Sequence, residues 1–276
     1  MKGDQRIDRR FAELAAAGRK ALIPFVTAGD PDPEQVVPLL HALVGAGADL
    51  IELGVPFSDP MADGPVIQRS SERALARGVN LAQVLEWVRV FREGDQETPI
   101  VLMGYLNPVE CFGAARFARA CASAGVDGVL LVDCPLEESA PYRSALDAVG
   151  VHQILLAAPT TRGARREALA RAARGFLYYV AFAGVTGADR LDPVALAEEL
   201  ADWRRLLAVP LAVGFGIKTA GDAAAVAAHA DAVVVGSALV ETLSRADEPV
   251  AAAAAFLRPL RAALDARSDA AAGLPA

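Results

Sequence analysis

Cysteine is scarce in this 276-residue chain. Cys111, Cys121 and Cys134 are an odd number, lie far apart and form no CxxC pair. A disulfide framework is therefore excluded and no zinc-site spacing is present; buried free thiols are the expectation. Histidine is as sparse. His41 and His229 fall in helical stretches and His152 starts an apolar strand, each isolated, so none is expected to be catalytic. Long hydrophobic runs are missing too. Although 54% of the residues are hydrophobic, no uninterrupted run approaches the ~20 residues of a membrane-spanning helix. The polar start, Met1-Lys2-Gly3-Asp4-Gln5-Arg6, lacks the apolar core of a signal peptide, so a soluble, cytoplasmic protein with no membrane partner is expected. There is no basic excess. A net charge of −7 argues against nucleic acid as a partner, because phosphate backbones select basic surfaces. A small phosphate ligand needs only local backbone amides and stays open.

What is present is alternation. Helical spacing at residues 2–18 is followed by an apolar strand, Ala21 to Thr27. Seven further apolar runs follow, near residues 49–53, 99–103, 126–132, 151–157, 176–181, 210–213 and 232–235, each separated from the next by helical sequence. The runs are short and rich in Val, Leu and Ile, as expected of parallel strands covered on both faces. Asn80, Thr161 and Thr219 read as helix N-caps, and Asp192-Pro193 as a cap with proline at the first helical position. No linker divides the chain. Eight strands over about 250 residues predict a single eight-stranded parallel (β/α)8 TIM barrel over residues 1–267, with an extra N-terminal helix and a disordered tail at 268–276. A doubly wound open sheet is the runner-up, but the GxGxxG turn it normally carries after its first strand is missing.

The most informative stretch runs from Ile51 to Pro65. It begins as a strand, breaks at Gly54, and passes through prolines that forbid a regular element while carrying Glu52, Asp59 and Asp63. A carboxylate ending an apolar strand is costly to bury unpaired. Two carboxylates in a partly apolar pocket can be pushed to different pKa values, one acting as an acid and the other staying ionised. Barrels of this kind build their sites at the C-terminal ends of the strands. There lie Thr186 and Gly187 after the sixth run, Gly214 and Gly216 after the seventh, and Gly236 and Ser237 after the eighth. Glycines let a dianion approach backbone amides, and Ser237 opens a short helix whose positive end would face it. Phe25 and Phe215 suit a flat aromatic substrate, and Tyr178 on the sixth strand can donate a hydrogen bond into the same pocket.

The run Pro56-Phe57-Ser58-Asp59-Pro60-Met61-Ala62-Asp63-Gly64-Pro65-Val66-Ile67-Gln68 resembles the signature of the tryptophan synthase alpha subunit family. Met103 to Pro108, Asp133-Cys134-Pro135, Gly184-Val185-Thr186-Gly187, Gly214 to Ile217 and Val235 to Ala238 resemble it as well, so the likeness spans about Arg9 to Leu264. The resemblance implies a lyase of tryptophan biosynthesis that cleaves indole-3-glycerol phosphate to indole and glyceraldehyde 3-phosphate. It makes Glu52 the general acid–base and Asp63 the partner of the indole N–H. Phe25, Tyr178 and Phe215 would line the pocket; Gly187, Gly216, Gly236 and Ser237 would hold the phosphate; Thr186 would sit in a closing loop. It further implies an alpha2beta2 heterotetramer with a beta subunit carrying pyridoxal phosphate, no cofactor in this chain, and a contact through Asp59, Asn107, Pro108 and Pro135. One departure stands out: Ala181-Phe182-Ala183 replaces a run in which the family often has Ser first and a longer polar or basic residue third, which bears on loop closure and signalling to the partner.

Overall fold

Eight short strands alternate with helices, and a closed barrel is what forms. In the computed structural model, which describes residues 3–181, 193–214 and 216–272, eight strands pair in chain order and the eighth closes on the first. They are β1 (Ala21–Thr27), β2 (Ile51–Gly54), β3 (Ile100–Gly104), β4 (Gly128–Leu131), β5 (His152–Ala157), β6 (Leu177–Val180), β7 (Leu211–Gly214) and β8 (Ala232–Val235). Every pairing is parallel. The helices that precede, connect and follow them are α1 (Gly3–Ala16), α2 (Val36–Gly45), α3 (Pro65–Ala76), α4 (Leu81–Gly94), α5 (Leu106–Phe112), α6 (Ala114–Ala124), α7 (Ala140–Asp147), α8 (Gly163–Ala172), α9 (Pro193–Leu206), α10 (Ala220–Ala227), α11 (Ser237–Arg245) and α12 (Pro249–Ala272).

The two-residue period of the strands divides the core in two. Leu22, Val26, Ile51 and Leu53 point outward and pack with the helices, whereas Ala21, Ile23, Leu50, Val101, Leu130 and Ile154 fill the barrel axis. Ile7, Phe11 and Leu14 of α1 join that inner cluster, with Phe11 against Phe176 and Ile7 beside Gly128 at the strand starts. The extra N-terminal helix therefore plugs the bottom of the barrel and leaves the C-terminal mouth for a ligand.

The bottom of the barrel, where α1 sits, also carries a buried ion cluster. Asp127, fully buried, accepts from Arg6 at 2.8 Å and Arg92 at 2.7 Å, and from the backbone N–H of Ile100. Arg92 also donates to the carbonyls of Gly125 and Thr98. Removing one member of a buried pair leaves a charge without compensation. Arg92→Ala is accordingly expected to cost about 3 kcal/mol, read as a lowered midpoint in urea unfolding with the slope unchanged.

Several local expectations are corrected. Thr161 caps no helix: its hydroxyl accepts from the N–H of Ala158 within a tight turn, and α8 begins at Gly163 behind Arg162. The residues after β3 form α5, which tolerates Pro108 because a proline in the first turn gives up an N–H that has no helical partner anyway. Gly113, at φ 86°, separates α5 from α6. Cys121 and Cys134 are buried free thiols as expected, but Cys111 is exposed, because it lies on the outer side of α5. Helix α12 continues to Ala272, past the point where a tail was expected to begin; residues 273–276 lie outside those described. Asn80 and Thr219 do cap α4 and α10, the latter in a reciprocal capping box with Asp222.

Candidate active site

A cavity of about 800 Å³ opens at the C-terminal mouth. Its wall contains Phe25, Glu52, Asp63, Tyr178, Gly216, Gly236 and Ser237, and also Pro135 of the expected partner contact, so the structure brings together eight of the residues singled out from sequence. Thr186, Gly187 and Phe215 lie outside the described residues, as do Phe182 and Ala183.

Glu52 reaches the cavity because β2 alternates: Ile51 and Leu53 face the helices and Glu52 faces the axis, paired with Phe25 on β1 and Val101 on β3. It is 1% exposed, and its Oε2 has no hydrogen-bond partner among the described residues. Burial, reinforced by the charge of Asp63, pushes its carboxyl up to about 8. At neutral pH it is therefore a neutral acid with a proton to give.

Asp63 is placed by a different mechanism. The chain from Val55 to Gly64 has no regular element, and Tyr105 fastens it. The Tyr105 hydroxyl donates to Asp63 Oδ2 at 3.0 Å and accepts from the N–H of Ala62 at 3.0 Å, while its ring packs on Phe57. Gln68 of α3 donates to the carbonyl of Asp63, and the Asp63 N–H donates to the carbonyl of Pro60. Burial raises the Asp63 carboxyl above its usual range, and the Tyr105 hydrogen bond limits that rise. The two acids thus occupy unlike settings: one dry and unpartnered, the other held by a donor that favours its ionised form. Buried Asp30 accepts from Nε and Nη2 of Arg73, each at 2.7 Å, and from the hydroxyl of Ser70 at 2.7 Å, which ties the loop after β1 to α3 and so steadies the helix that follows Asp63.

Two glycines are required by close approach. A Cβ on Gly54 would stand 2.6 Å from the Phe25 ring, and one on Gly214 would stand 2.2 Å from the Tyr178 hydroxyl. Burial, then the charges of Glu52 and Asp63, push the Tyr178 phenol well above its usual range, so it remains a donor. Gly214→Ala would displace the Tyr178 ring; kcat/KM is expected to fall about tenfold or more, mainly through KM, in steady-state assays with folding checked by thermal melting.

At the opposite rim Gly216 has φ 73°, and Gly236 with Ser237 opens the nine-residue α11, whose first amides face the mouth. Sequence reasoning gave no site role to Tyr105, nor to Met103, Ile67, Leu156 and Val234, which complete the apolar wall. Tyr105 lies one residue beyond β3, and the strand-end rule could have found it. Asp59, Asn107 and Pro135 are exposed and Pro108 half-buried; they follow the adjacent strands β2, β3 and β4, so all four share one side of the rim. Met61 on the same side is 84% exposed. None of the three histidines lines the cavity. Among the described residues no cluster could hold a metal ion and no helix is long and apolar enough to cross a membrane.

Residues 11–265 match the family model described as tryptophan synthase alpha chain. Curated relatives of that name from Xanthomonas oryzae pv. oryzae and Xylella fastidiosa are each 60% identical, covering 95% of this chain and 99% and 98% of theirs. A crystal structure of tryptophan synthase subunit alpha from Legionella pneumophila superposes with a TM-score of 0.90 at 45% identity, over 96% of this chain and 99% of that one. A structure of Mycobacterium tuberculosis tryptophan synthase gives 0.86 at 36% identity, over 94% and 98%.

Proposed function

The chain belongs to the tryptophan synthase alpha chain family, and from that premise we propose that Glu52 and Asp63 carry its lyase reaction. That reaction is the cleavage of indole-3-glycerol phosphate to indole and glyceraldehyde 3-phosphate, a step of tryptophan biosynthesis. The observation that carries the assignment is two carboxylates on one cavity, Glu52 with no hydrogen-bond partner at Oε2 and Asp63 held by the Tyr105 hydroxyl, with a glycine-lined helix start across from them.

The chemistry follows from those settings. The indole carbon that bears the side chain is a poor base and needs a positioned acid. Glu52, protonated at neutral pH, donates its proton to that carbon. The ring nitrogen then carries positive charge, and Asp63 accepts the N–H and stabilises it within a water-poor site. Glu52, now a carboxylate, removes the proton of the neighbouring side-chain hydroxyl. The carbon–carbon bond breaks, its electron pair returns to the ring, and the hydroxyl carbon becomes the aldehyde. Glu52 ends protonated, so the cycle closes without added acid. Phe25 and Tyr178 bound the ring, with Phe215 assigned beside them. Gly216, Gly236 and Ser237 take the phosphate, with Gly187 assigned to the same group and Thr186 to the closing loop.

The family works with a beta subunit, which holds the pyridoxal phosphate; we assign no cofactor to this chain, whose reaction needs only the two acids. Asp59, Asn107, Pro108 and Pro135 are assigned to that contact in an alpha2beta2 assembly, a reading supported by the exposed Met61 beside them. The free thiols suit a reducing cytoplasm. Indole release from indole-3-glycerol phosphate tests the activity, and titrating a beta subunit into the assay tests the contact. Release without any response to the partner would sink the interface assignment; no release with the partner present would sink the catalytic one. Inorganic phosphate at about ten times its Kd should raise Tm by roughly 2–3 °C, and an unchanged melt across millimolar phosphate would count against the rim glycines.

A further inference from the structure

Behind Asp63 lies a second, much smaller pocket of about 10 Å³, walled by Thr27, Gly54, Ser71, Met103, Tyr105 and Asp63 among others. Thr27 ends β1. The period that turns Ile23 and Phe25 toward the axis turns Thr27 the same way, and its side chain is 3% exposed. Its Oγ1 has no hydrogen-bond partner among the described residues. A buried hydroxyl without a partner is unfavourable, and valine would fill the same shape without leaving one. The pocket is the size of one water, for which about 10–15 Å³ suffices when two to four polar groups surround it. Among the residues that line it, Thr27, Asp63 and Tyr105 carry polar side-chain groups.

We propose that this pocket holds one ordered water bonded to Thr27 Oγ1 and the Asp63 carboxylate, and that Thr27 is thereby a positioning residue for Asp63. The inference rests on Asp63 being the group that faces the indole nitrogen. Tyr105 fixes one oxygen of the carboxylate from the β3 side; the water fixes the group from β1, so its plane is set from two strands. Such outer contacts matter because small misplacements of a reacting group cost rate rather than binding.

Two measurements test it. A high-resolution crystal structure of the full chain should show a water within about 3.2 Å of both Thr27 Oγ1 and an Asp63 oxygen. With the beta subunit present, Thr27→Val should lower kcat about tenfold and leave KM within about twofold, while Thr27→Ser, which keeps the hydroxyl, should hold kcat within about twofold. A dry pocket overturns the proposal, as does a Thr27→Val enzyme of full kcat or a Thr27→Ser enzyme as slow as the valine variant. Should Thr27→Val fail to fold, the density and the serine variant still decide. An inactive Asp63→Asn enzyme with a dry pocket defeats the water alone; a fully active Asp63→Asn enzyme defeats the reading of Asp63, whatever the density shows.

Discussion

Glu52→Gln is expected to lower kcat by about 10²–10⁴-fold while KM for indole-3-glycerol phosphate stays within a few-fold. Glutamine keeps the shape and the hydrogen-bonding capacity but has no proton to give to a ring carbon, so the loss falls on the transition state. Wild-type kcat/KM should decline above pH 8, because Glu52 titrates at about 8 and must be protonated to act. Stability gives an independent check. The folded protein holds the Glu52 proton to about pH 8, whereas the unfolded chain releases it near the ordinary glutamate value of 4.5. Between those values the native state binds more protons, so the wild-type protein loses stability as pH rises, by at most about 1.4 kcal/mol per pH unit. Glu52→Gln removes that loss. Relative to wild type, the variant should be more stable at pH 9 than at pH 5 in paired urea titrations. Near-full turnover, or a stability difference independent of pH, would refute the assignment of Glu52 as the buried acid.

Asp63→Asn should lower kcat by about 10²–10³-fold, less than the loss at Glu52. Asparagine still accepts from Tyr105, so the loop between Val55 and Gly64 keeps its fastening. What disappears is the charge opposite the cationic intermediate. A second consequence has a definite sign. The Asp63 charge is one of the two causes that raise Glu52, so removing it makes Glu52 easier to ionise. The alkaline limb of the residual activity should therefore move below pH 8. A limb that stayed in place or moved upward would show that the two carboxyls do not sense each other, and the shared-pocket reading would fall with it.

Each of these residues was legible in the sequence to a different depth. Glu52 was legible in its direction, which strand alternation dictates, but a carboxylate ending an apolar strand could equally have belonged to a structural ion pair, and only the nearby Asp63 favoured a site. Asp63 was legible only through its motif; by local rules alone it is a turn residue before Gly64-Pro65. Tyr105 was within a quoted motif but received no role, since nothing local indicates that its hydroxyl meets a carboxylate 42 residues earlier. Thr161 was misread because a side-chain hydroxyl can satisfy a turn amide as readily as a helix amide.

By itself, then, the chain's sequence determined the barrel, the inward aim of Glu52 and the glycine-bearing strand ends, since each depends on the period of a short segment or on the conformational range of a single residue. Only the tertiary structure decided that α1 closes the bottom of the barrel, that Tyr105 fastens Asp63 into the wall, and that the two acids differ in hydration. Those outcomes depend on which atoms exclude water from which others, a property of the packed assembly that no local pattern encodes.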